Sequence, residues 1–293
     1  MSNNFNRLCL GTVQFGIAYG IANQVGQVPL SEVRAMLQFA EDNGVDSLDT
    51  ASAYGVSEKR LGEIGVQSFR VVTKLPDLPS GCENISNWVF EQVDASLSRL
   101  GVKEVYGLLL HRPENLLRPI GPELYKVLQD LKLSGVVQKI GISIYSPSEL
   151  GTLTSNYRLD IVQAPFSLID TRLHSTGWLY RLKDRGVEIH TRSTFLQGLL
   201  LLAQNDMPLK FAPWSNLWKI WQSWLIENDV SALHAALSFP LSFPEVDRVI
   251  IGADSVAQLA EIIKFSKLPF KITSPNLKSD DLKLINPTNW NLL

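Results

Sequence analysis

Val105-Tyr106-Gly107-Leu108-Leu109-Leu110-His111 is a nearly unbroken apolar run that ends on an imidazole. It lacks the in-out alternation of a strand wetted on one face. It therefore reads as a strand buried on both faces, the environment of a parallel sheet. Runs of the same kind are predicted as strands at residues 8–10, 47–49, 71–74, 139–144, 161–166, 188–194 and 249–252, with this one covering 105–111. Between them lie helical patterns. Residues 31–43 place Val33, Leu37 and Ala40 on one face behind Ser31 as a predicted N-cap. Residues 86–99 align Val89, Val93, Ser96 and Leu97, and residues 123–133 run into the stop Ser134-Gly135. Residues 178–185 and 255–264 complete the pattern, with Asp254 or Ser255 placed to cap the last.

Eight strands alternating with helices predict a (β/α)8 TIM barrel, an α/β fold, rather than a doubly wound sheet. No Gly-rich dinucleotide fingerprint follows any strand, which weighs against the second architecture. Two regions break the rhythm. Residues 200–240 are too long for one βα unit and are expected to hold a loop and two helices, around 214–227 and 230–238. After Lys264 comes a Pro- and Asn-containing tail that reaches Trp290. The expectation is a single domain over residues 1–293, with a late insertion and a C-terminal extension.

Composition narrows the function. Of the 293 residues 45% are hydrophobic, enough for a full core, and the net charge of −2 offers no footprint for nucleic acid or an anionic membrane. Apolar stretches such as residues 195–203 are too short to span a bilayer. Residues 1–7 are polar and show no signal-peptide core. Cys9 and Cys82 form neither a disulfide framework nor a metal cluster, and no metal motif is present. A cytoplasmic protein is expected.

In a (β/α)8 barrel the chemistry sits at the carboxyl ends of the strands. The second predicted strand ends at Asp49, the third at Lys74 and the fourth at His111, and Tyr54 lies in the loop after the second. Taken singly, each has a bland reading: a turn aspartate, a packed tyrosine, a solvated lysine, a lone histidine. Three adjacent strand ends delivering a carboxylate, a phenol, an ammonium and an imidazole to one rim suit one task. A carbonyl that accepts hydride needs a proton. A tyrosine can supply it if an ammonium lowers its pKa from about 10, a carboxylate holds that ammonium, and an imidazole orients the oxygen.

Asp49-Thr-Ala-Ser-Ala-Tyr54-Gly-Val-Ser-Glu58-Lys-Arg-Leu-Gly62 resembles the signature of the aldo-keto reductase superfamily. Further blocks match in order: Val71-Val-Thr-Lys74, Leu108-Leu-Leu-His111-Arg-Pro, Lys139-Ile-Gly141-Ile-Ser143, Val162-Gln163-Ala-Pro-Phe-Ser167 and Val249-Ile-Ile-Gly252-Ala-Asp-Ser255-Val-Ala-Gln258-Leu. The resemblance spans residues 10 to about 265. It implies the same barrel, reduction of aldehydes or ketones with NADP(H), and a tetrad of Asp49, Tyr54, Lys74 and His111. It also implies that Ser143 and Gln163 bind the nicotinamide carboxamide and that Gly11 and Thr12 line the same end. The adenosine phosphate end would then be held by residues 252–261, including Gly252, Ser255, Gln258 and Glu261, with a helix N-terminus for the anion.

The sequence departs from the family pattern in the cofactor half. Ile144 stands where an Asn is usual. Arg192, followed by Ser193, stands where relatives carry an aromatic that stacks on nicotinamide; a guanidinium can stack on a ring as well. Where relatives offer a cation to the 2′-phosphate, this chain has the acidic Asp254, with Gly252 and Gln258 beside it. NADP(H) is favoured from the family, with NAD(H) as the alternative.

Phe15, Tyr19, Trp88, Trp178 and Trp290 are the aromatics expected near the rim. Trp214, Trp218, Trp221 and Trp224 recur at helical spacing, as a buried helix face or a sugar-binding wall would. The block Thr191-Arg-Ser-Thr-Phe-Leu-Gln-Gly198 resembles a bacterial branch tied to sugar metabolism, so the partner expected is a small carbonyl substrate such as a sugar. The competing reading is a regulatory protein that keeps the barrel and cofactor site with little turnover. A Schiff-base lyase using Lys74 is disfavoured, because Asp49 would raise the lysine pKa rather than lower it. A short-chain dehydrogenase is disfavoured because none of Tyr54, Tyr106, Tyr125 or Tyr145 has a Lys four residues on.

Overall fold

The computed structural model describes residues 7–292. The expected absence of a signal-peptide core falls almost wholly on residues outside that range. Eight strands, β1 (Leu8–Gly11), β2 (Ser47–Asp49), β3 (Arg70–Leu75), β4 (Val105–Leu110), β5 (Val137–Ser143), β6 (Ile161–Pro165), β7 (Glu188–Arg192) and β8 (Arg248–Ile251), close in sequence order into a barrel. Every pairing is parallel, including β8 with β1. This is the (β/α)8 barrel that the alternation of apolar runs and helical patterns required.

Register decides which side chains face the barrel axis. Gly11 pairs with Asp49, Asp49 with Val72, Lys74 with Leu109, Ser143 with Gln163 and Pro165 with Arg192. Because side chains alternate along a strand, these positions share the inner face. Val72, Leu109 and Ile161 make a small apolar plug inside the barrel, separate from the main core between sheet and helices. The polar residues Asp49, Lys74, Ser143 and Gln163 sit above it. The strands read as continuous apolar runs because their outward residues, such as Leu48, Leu108, Ile142 and Val162, bury against helices.

Element bounds depart from the sequence reading in instructive places. After β1 comes a four-residue helix, Val13–Gly16, and the helix before β2 then runs Leu30–Asp42 with Pro29 as N-cap, so Ser31 lies in the first turn and does not cap it. Proline's fixed φ suits the entry to a helix, which starts the element one residue earlier. Strand β7 stops at Arg192 and not at Thr194, because Ser193 turns to φ 63°. Helices Ser57–Ile64 and Leu150–Asn156 were not anticipated. Both are short, and the first carries too many polar residues to show an apolar stripe. The insertion does hold two helices, Ser215–Glu227 and Ala232–Leu241. Trp218 and Trp221 are buried in the core and Trp214 and Trp224 pack against it, so the helical spacing marks a packing face. Among the described residues, no helix is long and apolar enough to cross a membrane.

Candidate active site

The loop after β2 is built to hold Tyr54. Gly55 takes φ 57°, which an L side chain rarely adopts, and Gly16 sits so close that a Cβ there would lie 1.6 Å from the Tyr54 carbonyl oxygen. Ser57 donates to the Thr12 carbonyl oxygen at 2.9 Å, while the Thr12 amide and hydroxyl donate to the Asp49 carbonyl at 2.9 and 3.0 Å. The end of β1, the end of β2 and the Tyr54 loop are thereby locked together. Glu58, also buried, accepts from Thr73 at 2.6 Å and from Arg99 at 2.8 Å, tying the following helix to β3. Ser57 and Glu58 of the signature are thus structural, and their bonds fix where Tyr54 stands.

Lys74 is wholly buried. Its Nζ lies 2.9 and 2.8 Å from the two carboxylate oxygens of Asp49, 2.9 Å from the Thr50 carbonyl and 3.3 Å from the Tyr54 hydroxyl. Burial alone would depress the lysine, but Asp49 and Tyr54 outweigh it and its pKa stands above the ordinary value. For Tyr54 burial is also the largest influence, and it raises the pKa against the opposing pull of Lys74. Lys74 thus acts on the tyrosine in the expected direction, but burial outweighs it, so the net shift is upward and the phenol is protonated at neutral pH. The His111 ring meets that of Tyr54 edge-on, with centroids 6.0 Å apart. Burial and the neighbouring Lys74 cation lower its pKa to about 4, so it is neutral at pH 7.

These groups open into one cavity of about 810 Å³. Asp49, Tyr54 and His111 line it, and Lys74 lies beneath its floor, held against Asp49 and Tyr54. Of the residues assigned to a cofactor, Gly11, Thr12, Ser143, Gln163, Arg192, Ser193, Gly252, Gln258 and Glu261 all line the same cavity. Ser255 does not; its hydroxyl accepts from the Gln258 amide at 3.2 Å and caps the helix Val256–Ser266. Ser143 donates to the Gln163 side-chain oxygen at 3.0 Å, and Gln163 donates to Asp49 at 2.6 Å. Arg192 donates to the Ile144 carbonyl at 2.9 Å and lays its guanidinium 4.8 Å from the centre of the Tyr145 ring. One of its faces therefore has a stacking partner within the chain.

Several lining residues were not singled out in the sequence: Gln14 lies on the short helix Val13–Gly16, Tyr145 in the bend after β5, and Thr194 and Gln197 in the turns after β7. After β7 the backbone takes left-handed values at Ser193, Leu196, Gln197 and Gly198. That loop meets the one after β1: the Ile21 amide donates to the Gln197 carbonyl at 3.1 Å, and the Gln197 side chain donates to the Tyr19 hydroxyl at 3.1 Å. Of the rim aromatics expected, Tyr19 lines the cavity. Phe15 and Trp290 belong to the core, and Trp88 and Trp178 pack against it.

A parallel eight-stranded barrel whose rim gathers a tyrosine, a lysine, an aspartate and a histidine has the form of an oxidoreductase acting on carbonyls and alcohols. The chain belongs to the aldo/keto reductase family, whose model matches residues 7–276; the family uses nicotinamide cofactors. It is 26% identical to a D-threo-aldose 1-dehydrogenase of a Pseudomonas species over 86% of this chain and 89% of the relative. It is 29% identical to a 6-dehydroglucose reductase of Novosphingobium aromaticivorans, over 80% of each. The fold is similar to that of an aldo-keto reductase from Bacillus halodurans in its holo form, with a TM-score of 0.73, 20% identity, and coverage of 92% of this chain and 89% of that one.

Proposed function

We propose that the chain, working as one barrel domain, transfers a hydride between a nicotinamide dinucleotide and a sugar aldehyde or keto sugar, with Tyr54 exchanging the proton. The observation that carries this reading is the buried Lys74 ammonium, bonded at once to Asp49 and to the Tyr54 hydroxyl under the cavity floor. The residues present fit a dinucleotide. The cavity is within the range of roughly 300–1,000 Å³ usual for ligand sites. Ser143 and Gln163 present an amide and a hydroxyl suited to a carboxamide. The Thr194 hydroxyl is buried on the wall with no partner in the protein. The left-handed turns after β7 suit the close approach of an anion.

When bound, the nicotinamide would supply or accept the hydride. In reduction, Tyr54 donates its proton to the carbonyl oxygen as negative charge develops there. Lys74, kept charged by Asp49, stabilises the phenolate that remains. His111, neutral at pH 7, donates a hydrogen bond that holds the substrate oxygen near Tyr54. In oxidation the same proton returns along the same contact. The sugar assignment is supported by the names of two relatives, an aldose dehydrogenase and a dehydroglucose reductase.

The test is a fluorescence titration with NADH and NADPH, followed by a panel of sugars and simple aldehydes with cofactor oxidation as the readout. Tyr54→Phe is expected to lower turnover by about 10²-fold or more while leaving dinucleotide affinity nearly intact. Full activity in that variant would refute the assigned acid. Tight binding without turnover on any carbonyl would favour a regulatory protein on the same barrel.

A further inference from the structure

We infer that the end of the cavity beside β8 and the helix Val256–Ser266 selects NAD(H), the dinucleotide with a free ribose 2′-hydroxyl, and that Asp254 makes the selection. The inference rests on the proposed dinucleotide site and reverses the preference for NADP(H) that family resemblance implies. Tyr54 and His111 must stay open to substrate on the β2–β4 side. With the nicotinamide over Ser143 and Gln163, the rest of a dinucleotide runs the other way, where the cavity continues past Gly252 to Asp254, Gln258 and Glu261.

Three features of that end agree. First, its unpartnered polar atoms are acceptors. One carboxylate oxygen of Asp254 is buried without a hydrogen bond, and so is the side-chain oxygen of Gln14. The Gln14 side chain lies over Gly252, where a Cβ would come within 2.3 Å of its amide nitrogen. Second, the charged groups there are Asp254 and Glu261, both acidic. Among the described residues that line the cavity, Arg192 is the one lysine or arginine. It is engaged elsewhere, on the Ile144 carbonyl and the Tyr145 ring. Third, the turn is braced. Gln258 accepts from the Asp254 amide at 2.8 Å while its own amide donates to Ser255 at 3.2 Å. Gln258 thus spends its amide oxygen on the cap, and the turn holds Asp254 in place.

A ribose 2′-hydroxyl is the donor that the unpaired oxygen of this half-buried carboxylate lacks. A carboxylate that accepts from it is the general means of choosing NAD, just as a cation is the means of choosing NADP. A 2′-phosphate is mostly a dianion at neutral pH, so it rarely has a proton to offer and meets like charge in a partly desolvated place. Burial raises the Asp254 pKa, as expected of a carboxylate without a donor.

Equilibrium titrations of the intact protein with NADH and NADPH, read by fluorescence quenching, test the inference without any turnover. Wild-type protein is expected to bind NADH at least about tenfold more tightly, equivalent to about 1.4 kcal/mol. Asp254→Asn should narrow the ratio and Asp254→Lys should invert it. NADPH binding as tightly as NADH, or more so, overturns the inference and leaves the dinucleotide reading standing. Binding of neither overturns that reading and the inference with it. A ratio unchanged in a folded Asp254→Asn protein also overturns the role given to Asp254, and the wild-type ratio is decisive should a variant fail to fold.

Discussion

Replacing Asp49 by asparagine removes the charge that lets Lys74 remain an ammonium inside the barrel. The Lys74 side chain has no exposure and the Asp49 side chain 5%, with carboxylate oxygens 2.9 and 2.8 Å from Nζ. Breaking a buried pair by neutralising one partner costs about 3–5 kcal/mol, because the remaining charge stays desolvated. Asparagine keeps one acceptor oxygen and Lys74 keeps the Thr50 carbonyl, so the lower end, about 3 kcal/mol at pH 7, is expected. The pH dependence gives the sharper test. In the wild type the Lys74 pKa is raised, so the pair's stabilisation is complete below the unfolded value near 10.4 and is lost as pH rises through the folded one. In Asp49→Asn, burial is no longer outweighed and the folded pKa drops below about 10.4. Its stability then falls as pH falls below that value. The deficit of the variant should therefore shrink between pH 7 and pH 10 in urea unfolding. A deficit under about 1 kcal/mol at pH 7, or one that stays constant at alkaline pH, would refute the account of Lys74 as a charge held by Asp49.

His111 gives a window on the acid side. Its folded pKa of about 4 lies below an unfolded value near 6.5, so the unfolded chain binds the proton first, and wild-type stability declines as pH falls from about 6.5 to 4. At about 1.4 kcal/mol per unit the loss reaches at most about 3.5 kcal/mol. His111→Gln should flatten that window, and urea midpoints at pH 7 and 5 would show it. Gly16→Ala places a methyl group 1.6 Å from the Tyr54 carbonyl oxygen, so the backbone must move. It should cost more than about 2 kcal/mol in stability and lower turnover by displacing Tyr54; thermal melts and rate assays check both. Arg192→Ala should weaken dinucleotide binding in a fluorescence titration with little change in melting temperature. An unchanged affinity would confine Arg192 to its contacts with Ile144 and Tyr145.

The barrel was legible because a strand buried on both faces is written as a continuous apolar run, and eight such runs alternate with helical patterns. The four rim residues were legible because strand ends are where inward side chains meet solvent: Asp49, Lys74 and His111 close three neighbouring runs. What the residues could not declare is which polar groups spend their bonds on one another. Ser255, one of the two caps that the sequence offered, does cap its helix, and that bond is why it does not line the cavity as an anion contact would. Arg192 looks free to stack on a ligand, yet it already faces Tyr145, a residue with no motif to mark it. Lys74 does pull the Tyr54 pKa down as expected, but the net sign of the shift is set by burial, which no spacing reveals. Thr194 reaches the cavity through a turn, where side-chain direction follows local dihedrals rather than a period, and Gln14 through a four-residue helix too short to show one.

The inward register also explains why the two halves of the site are not independent. Ser143 donates to Gln163, Gln163 donates to Asp49, and Asp49 holds Lys74, which touches Tyr54. One chain of hydrogen bonds therefore runs from the residues assigned to the nicotinamide to the group assigned to the proton, entirely within the barrel. The Gln163 bond to Asp49, at 2.6 Å, is charge-assisted and shares the oxygen that Lys74 also uses. The carboxylate is thus more than a counter-ion for the lysine: it accepts from Gln163 as well, and so joins Ser143 and Gln163 to Lys74 and Tyr54 in one hydrogen-bonded chain.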